Sequence, residues 1–233
     1  MSGELSVGRT LGRTAWLLNS VGPRVILLAH VAWLPSGIAA ATAIAVALDG
    51  AFGSRLVAAL AAIASVTLTA LIGVPWAASF ATRAALRRLD RPPSSRSLFG
   101  PLVVLTVCTV LASSVPLLSL PAVLVASIAA PAAAEGGLSG GDAIRRAMAL
   151  LSGRWRAALW LYAIVFAPQL ALLYVAAVSM TRLDFSTLEG TLLLLGGLET
   201  ALLFAVCDIF LGVVVYDVLT KPSDTGELAA AFD

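Results

Sequence analysis

Charge is scarce in this sequence. Asp, Glu, Lys and Arg supply only 12% of its 233 residues, where a soluble domain uses about 25%, so there is too little polar material to clothe a water-exposed surface. That shortage excludes an ordinary soluble fold. Histidine is reduced to a single residue, His30, and the carboxylates are scattered. No His/Cys/Asp/Glu set recurs at ligand spacing, so neither a metal centre nor any other cofactor is expected. Cysteine is limited to Cys108 and Cys207. Both fall in apolar runs, where a thiol acts as a small hydrophobe, and two cysteines define no disulfide framework. The first 24 residues also lack the uninterrupted apolar core of a secretory signal, so no cleaved leader is expected.

In place of charge the chain carries long greasy runs. Residues of the AVILMFWYC set make up 60% and the mean hydropathy is +0.98. A spanning helix needs about 20 mostly apolar residues, and six such runs are present, at 25–48, 55–82, 98–115, 117–134, 157–180 and 191–219. The expected architecture is therefore all-α: a single polytopic membrane domain, 1–233, of six transmembrane helices paired as hairpins over 25–82, 98–134 and 157–219, with a tail at 220–233. Arginine sets the orientation, because cytoplasmic loops carry the excess of Lys and Arg. With six spans, 13 of the 15 basic residues fall on one side, leaving Arg55 and Arg182 on the other. Both termini are thus expected in the cytoplasm.

Sliding the chain by 133 residues aligns Leu5–Pro35 with Leu138–Pro168. Identities fall at Leu5/Leu138, Ser6/Ser139, Gly8/Gly141, Arg13/Arg146, Leu17/Leu150, Leu18/Leu151, Leu28/Leu161 and Pro35/Pro168. Each copy reads as a short amphipathic helix leading into a span interrupted by proline. In the first, 5–20, Val7, Leu11, Ala15 and Leu18 recur at helical spacing; in the second, 139–152, Ile144, Met148 and Leu151 do so with Arg145 and Arg146 opposite. Both are expected to lie in the plane of the cytoplasmic interface. Ser139 with Asp142 has capping-box spacing, and Gly153 stands where the second helix would stop. Because both copies lead outward from the cytoplasm, the repeat is parallel.

Several of these stretches resemble a known family. The opening Leu5-Ser6-Val7-Gly8 with Leu11, Arg13 and Leu17-Leu18, Pro35, Leu120-Pro121-Ala122-Val123, Pro131 through Glu135, Ala143-Ile144-Arg145-Arg146-Ala147, Leu151-Ser152-Gly153-Arg154-Trp155 and Val215-Tyr216-Asp217 look like the membrane domain found fused to glycerophosphodiester phosphodiesterases and in stand-alone bacterial proteins of unknown role. The resemblance implies a six-helix module of the bacterial inner membrane whose chemistry, in fused members, belongs to a separate soluble domain. It supplies no catalytic residue to carry over.

Candidate chemistry is sparse. Gly137-Leu138-Ser139-Gly140-Gly141 fits G-x-S-x-G, but no strand precedes it and His30 has no sequence relation to Ser139, so a linker and helix cap are the preferred reading and no catalytic residue is assigned. Ionisable groups inside spans are costly, and each is a functional hypothesis. Asp208 is the first, set deep in the last span and expected to point into the bundle, with Glu199 and Asp217 on the opposite face nearer the two interfaces. His30 is a possible hydrogen-bond partner for Asp208. Pro35, Pro75, Pro116, Pro121, Pro131 and Pro168 interrupt apolar runs, and broken helices can line transport sites. Arg9, Arg13, Arg87, Arg88, Arg145, Arg146 and Arg154 are candidate contacts for anionic lipid headgroups or a partner. No nucleic-acid-binding pattern accompanies them. The leading expectation is a non-enzymatic scaffold, anchor or accessory subunit working with another membrane protein or as a homo-oligomer. The alternative is a small transporter or transporter subunit using Asp208 and the proline breaks.

Overall fold

The computed structural model describes residues 7–48, 60, 72–113, 116–180 and 188–221, and all regular structure among them is helical. The elements are α1 (Val7–Leu48), α2 (Val74–Arg88), α3 (Phe99–Ser113), α4 (Pro116–Gly136), α5 (Gly140–Leu151), α6 (Trp155–Met180) and α7 (Leu188–Thr220). Helices α3 to α7 begin and end within a few residues of the runs read from the sequence. One described helix, Leu118–Gly136, is long and apolar enough to cross a membrane, with a mean hydropathy of 1.6 over 19 residues. Phe99–Thr109 and Trp155–Pro168 are shorter apolar helical stretches. The turn before Pro116, most of the run 55–71 and the tail beyond Lys221 lie outside the described residues.

The first hairpin departs from the sequence reading in two ways. The amphipathic segment 5–20 and the span 25–48 are not separate elements: α1 is one helix of 42 residues, about 63 Å long at 1.5 Å per residue. Gly22-Pro23 does not break it, because a proline removes a single backbone donor and Val25 and Ala29 continue the buried stripe of Thr10, Thr14 and Leu17. Likewise α2 runs on through Arg83 to Arg88, past the end of the run read at 55–82, so these arginines stand on helix. The helix stops at Asp90, whose φ of 58° is left-handed, just before Arg91-Pro92-Pro93. Pro121 and Pro131 sit inside α4 and Pro168 inside α6, so these prolines do not interrupt their helices.

Helices α4 and α7 form the centre. α7 packs on α1, α2, α4 and α6, and α4 packs on α2, α3, α5, α6 and α7. Their crossing is unusually close: a Cβ on Gly212 of α7 would lie 2.4 Å from the Ser127 carbonyl oxygen of α4, so only glycine fits. Beside it Ser127 donates to the Leu124 carbonyl at 2.9 Å, which leaves the buried Tyr162 hydroxyl of α6 to donate to Ser127 Oγ. Gly140 makes a second tight approach, since a Cβ there would meet Val104 of α3 at 2.7 Å.

The buried faces mix alanine and threonine with large apolar side chains such as Leu17, Leu86, Leu124, Ile128 and Phe210, and further large apolar side chains face out. On α1, Thr10 and Thr14 are buried while Trp16, Leu27 and Val31 are exposed; on α2, Ala81, Thr82 and Ala85 are buried while Phe80 is exposed; on α6, Tyr162 is 0% exposed and Trp160 71%. The stripes proposed from hydrophobic spacing are met in part. Leu11 and Leu18 of α1 and Ile144 of α5 pack against the core and Leu151 is buried, whereas Val7, Ala15 and Met148 are exposed, and Gly140, Ala143 and Ala147 join the inward face of α5.

The 133-residue offset has a structural counterpart. It aligns buried Thr10 with buried Ala143, Thr14 with Ala147, Val25 with Ala158 and Ala29 with Tyr162, though it also aligns exposed Val7 with buried Gly140. The two copies differ at one joint: the first is continuous, whereas the second breaks after Leu151, where Gly153 takes φ 76° and the Arg154 N–H returns to the Leu151 carbonyl at 2.8 Å.

Candidate functional site

The start of α1 and the ends of α2, α4 and α7 converge at one end of the bundle. Asp217, in the last turn of α7, is 0% exposed and faces three cations: Arg13 of α1 (Nη2 to Oδ2, 2.9 Å), Lys221 (Nζ to Oδ2, 3.3 Å) and Arg91 (Nε to Oδ1, 3.5 Å). Neither carboxylate oxygen receives a hydrogen bond of good alignment, so the group is held by charge. Arg91 also reaches Glu135 at the end of α4 (Nε to Oε1, 3.5 Å), donates through Nη1 to Thr220 Oγ1 and lies over the Tyr216 ring, 5.3 Å from its centroid. The Tyr216 hydroxyl donates to Glu135 Oε2 at 2.6 Å, and the Thr220 hydroxyl donates to the Tyr216 carbonyl at 2.8 Å.

The connecting segment after α2 is tied to the same end. The Ser94 N–H caps the Ala134 carbonyl at 2.8 Å, satisfying an acceptor that α4 leaves open at its end, and Arg83 donates to the Arg96 carbonyl. Arg88 stacks on Trp16, 5.1 Å from the ring centroid, joining α2 to α1. The centre as a whole sets three cations against two carboxylates, and Arg88 and Arg146 stand beside it, so this end keeps a positive surplus. Chemically it clamps four helix ends together and presents a basic face.

The sequence-read candidates are distributed as follows. Arg13 enters the ionic centre, and Arg146, its counterpart under the 133-residue offset, lies within electrostatic reach of Tyr216. Arg9 and Arg87 are exposed and Arg154 half-buried, while Arg145 pairs with Asp142 at 2.8 Å on the exposed face of α5. Asp208 is partly buried and stands near Tyr162 and Cys207; the fully buried carboxylate is Asp217, half a turn further round the same helix. That inverts the weight the sequence gave the two, because three arriving cations make the buried site tenable. The His30 ring donates from Nδ1 to the Ile26 carbonyl at 2.8 Å, one turn back along α1. Glu199 falls in α7, but its side chain lies outside the described residues.

Ser139 is a helix cap, as its spacing implied. Its Oγ accepts from the Asp142 N–H at 3.2 Å and donates to Asp142 Oδ2 at 2.6 Å. Among the described residues no three of His, Cys, Asp and Glu converge on a common point. Sequence reasoning passed over Glu135, Arg91, Tyr216 and Lys221. The available signal was that every one of them falls at the arginine-rich border, where a carboxylate has cations to meet. In comparisons with family models, curated proteins and solved structures, nothing matches this chain.

Proposed function

We propose that the chain is a non-enzymatic, multi-pass protein of the bacterial inner membrane, with six spans in three hairpins, both termini cytoplasmic, and a role as scaffold, anchor or accessory subunit for another membrane protein or for further copies of itself. The observation that carries this reading is the exposed apolar surface. Trp160, Leu27 and Leu111 project outward, each about two-thirds exposed or more, which is unfavourable in water but suits lipid, and buried alanines such as Ala81, Ala129 and Ala143 allow the close helix contact on which association in lipid relies. The convergence of the start of α1 with the ends of α2, α4 and α7 fits hairpins that return to the side they left. The likeness to the membrane domain of the phosphodiesterase family points the same way.

A clamped basic end suits holding a partner or anionic headgroups. Purification from the native membrane in mild detergent, followed by mass spectrometry of what accompanies the protein, tests this. A stoichiometric protein partner or a defined homo-oligomer is expected; a lone chain retaining a small solute would overturn it. The second reading, a small transporter, is favoured by Asp208 standing beside the Tyr162–Ser127 hydrogen bond within the bundle. Under it, Asp208→Asn abolishes proton-coupled uptake in liposomes while leaving the fold intact.

A further inference from the structure

A groove of about 290 Å³ opens between α3, α4, α5 and the first residue of α6. We propose that it is a binding site for one acyl chain of an anionic phospholipid, whose phosphate is held by the arginines at its rim. This rests on the bilayer reading above and deepens it by naming a specific ligand and site.

The walls select hydrocarbon. Leu105, Cys108, Ala122, Val125 and Met148 line the groove, and the polar side chain among its lining residues, Thr109, already donates to the Leu105 carbonyl at 2.8 Å. A polar solute would find nothing to bind. The shape is elongated, since the α4 part of the wall runs from Leu118 to Ala126, about 12 Å along a helix axis. It opens to the outward surface that carries exposed Val104 and Leu111.

The rim selects the headgroup. Trp155 lies at one end, the amphipathic ring that favours the membrane–water boundary, flanked in sequence by Arg154 and Arg156. Arg145 stands about 60° round α5 from Met148 by helical spacing and is 82% exposed. Arg145 is balanced by Asp142 at 2.8 Å, so the unbalanced charge at this rim is that of Arg154 and Arg156, and an anionic headgroup completes it.

Cys108 provides the probe. In a Cys207→Ser background, bimane on Cys108 reports quenching by brominated lipid in phosphatidylcholine vesicles. Brominated phosphatidylglycerol is expected to half-saturate at about fivefold lower mole fraction than brominated phosphatidylcholine, the factor one basic residue carries at an anionic surface, and Arg154→Gln with Arg156→Gln should erase the difference. Native mass spectra of the unlabelled protein, given both lipids equally, should retain phosphatidylglycerol. Equal quenching by the two lipids, or quenching by neither because the groove is closed or filled by protein, overturns the proposal. A label at Leu27→Cys, with Cys108→Ser and Cys207→Ser, separates the two failures. Both brominated lipids should quench it alike in a bilayer, and no quenching there would show that the membrane reading itself has failed.

Discussion

Burying the Asp217 carboxylate without one aligned hydrogen bond is tenable only because Arg13, Arg91 and Lys221 all reach it. The partners are not equivalent. Arg91 is 17% exposed and bound to three further groups, whereas Arg13 and Lys221 are 37% and 56% exposed and free to turn toward solvent. Removing the anion should therefore cost more than removing any one cation. Asp217→Asn is expected to destabilise the bundle by about 2–3 kcal/mol, below the about 3–5 of a fully buried pair, and Arg13→Met by about 1 kcal/mol. The double variant, followed by thermal unfolding in detergent, should cost less than the two singles together. Additive effects would mean that the pair does not couple.

At the scale of elements, glycine offers a matched contrast. Gly212 faces the Ser127 backbone with no room for a methyl group, while nothing lies within 4 Å of a Cβ on Gly12 of α1. The same replacement should therefore change stability in opposite directions. Gly212→Ala should cost about 3 kcal/mol through forced separation of α4 and α7, and Gly12→Ala should add about 1 kcal/mol through helix propensity; unfolding midpoints of the two variants in one detergent check both signs. Helices α3 to α7 were legible in the sequence, as were the Ser139 cap and the stop at Gly153, because apolar run length and cap chemistry are local. Which face turns inward was legible only in part. Hydrophobic spacing assumes that the large apolar side chains are buried, and here Ile144 and Leu151 do pack inward, but Met148 is exposed while Ala143 and Ala147 pack. Asp217 was ranked below Asp208 for a related reason: its burial depends on cations delivered by α1 and by the segment after α2, which no spacing within α7 discloses.

For the whole molecule, the charged contacts and the topology constrain one another. Arg13 meets Asp217, and Gly22 lies against Phe210, so α1 and α7 run antiparallel; Arg88 on Trp16 brings the end of α2 back to the start of α1, and Glu135 brings the end of α4 to the same place. If α1 leaves the cytoplasm, then α2, α4 and α7 return to it, and the segments 89–98 and 152–154 share that side with the tail. Impermeant maleimide applied to intact cells decides the matter in a background lacking Cys108 and Cys207. Cysteine at Ser95 or Ser152 should stay unlabelled until the membrane is opened, whereas cysteine at Ser54 or Ser186 should label from outside. The salt bridges make this prediction stricter than arginine counting alone does. Labelling of Ser95→Cys from outside would put a border segment of the ionic centre on the wrong side, and would require Arg91 and Asp217 to be parted or the whole bundle to be inverted.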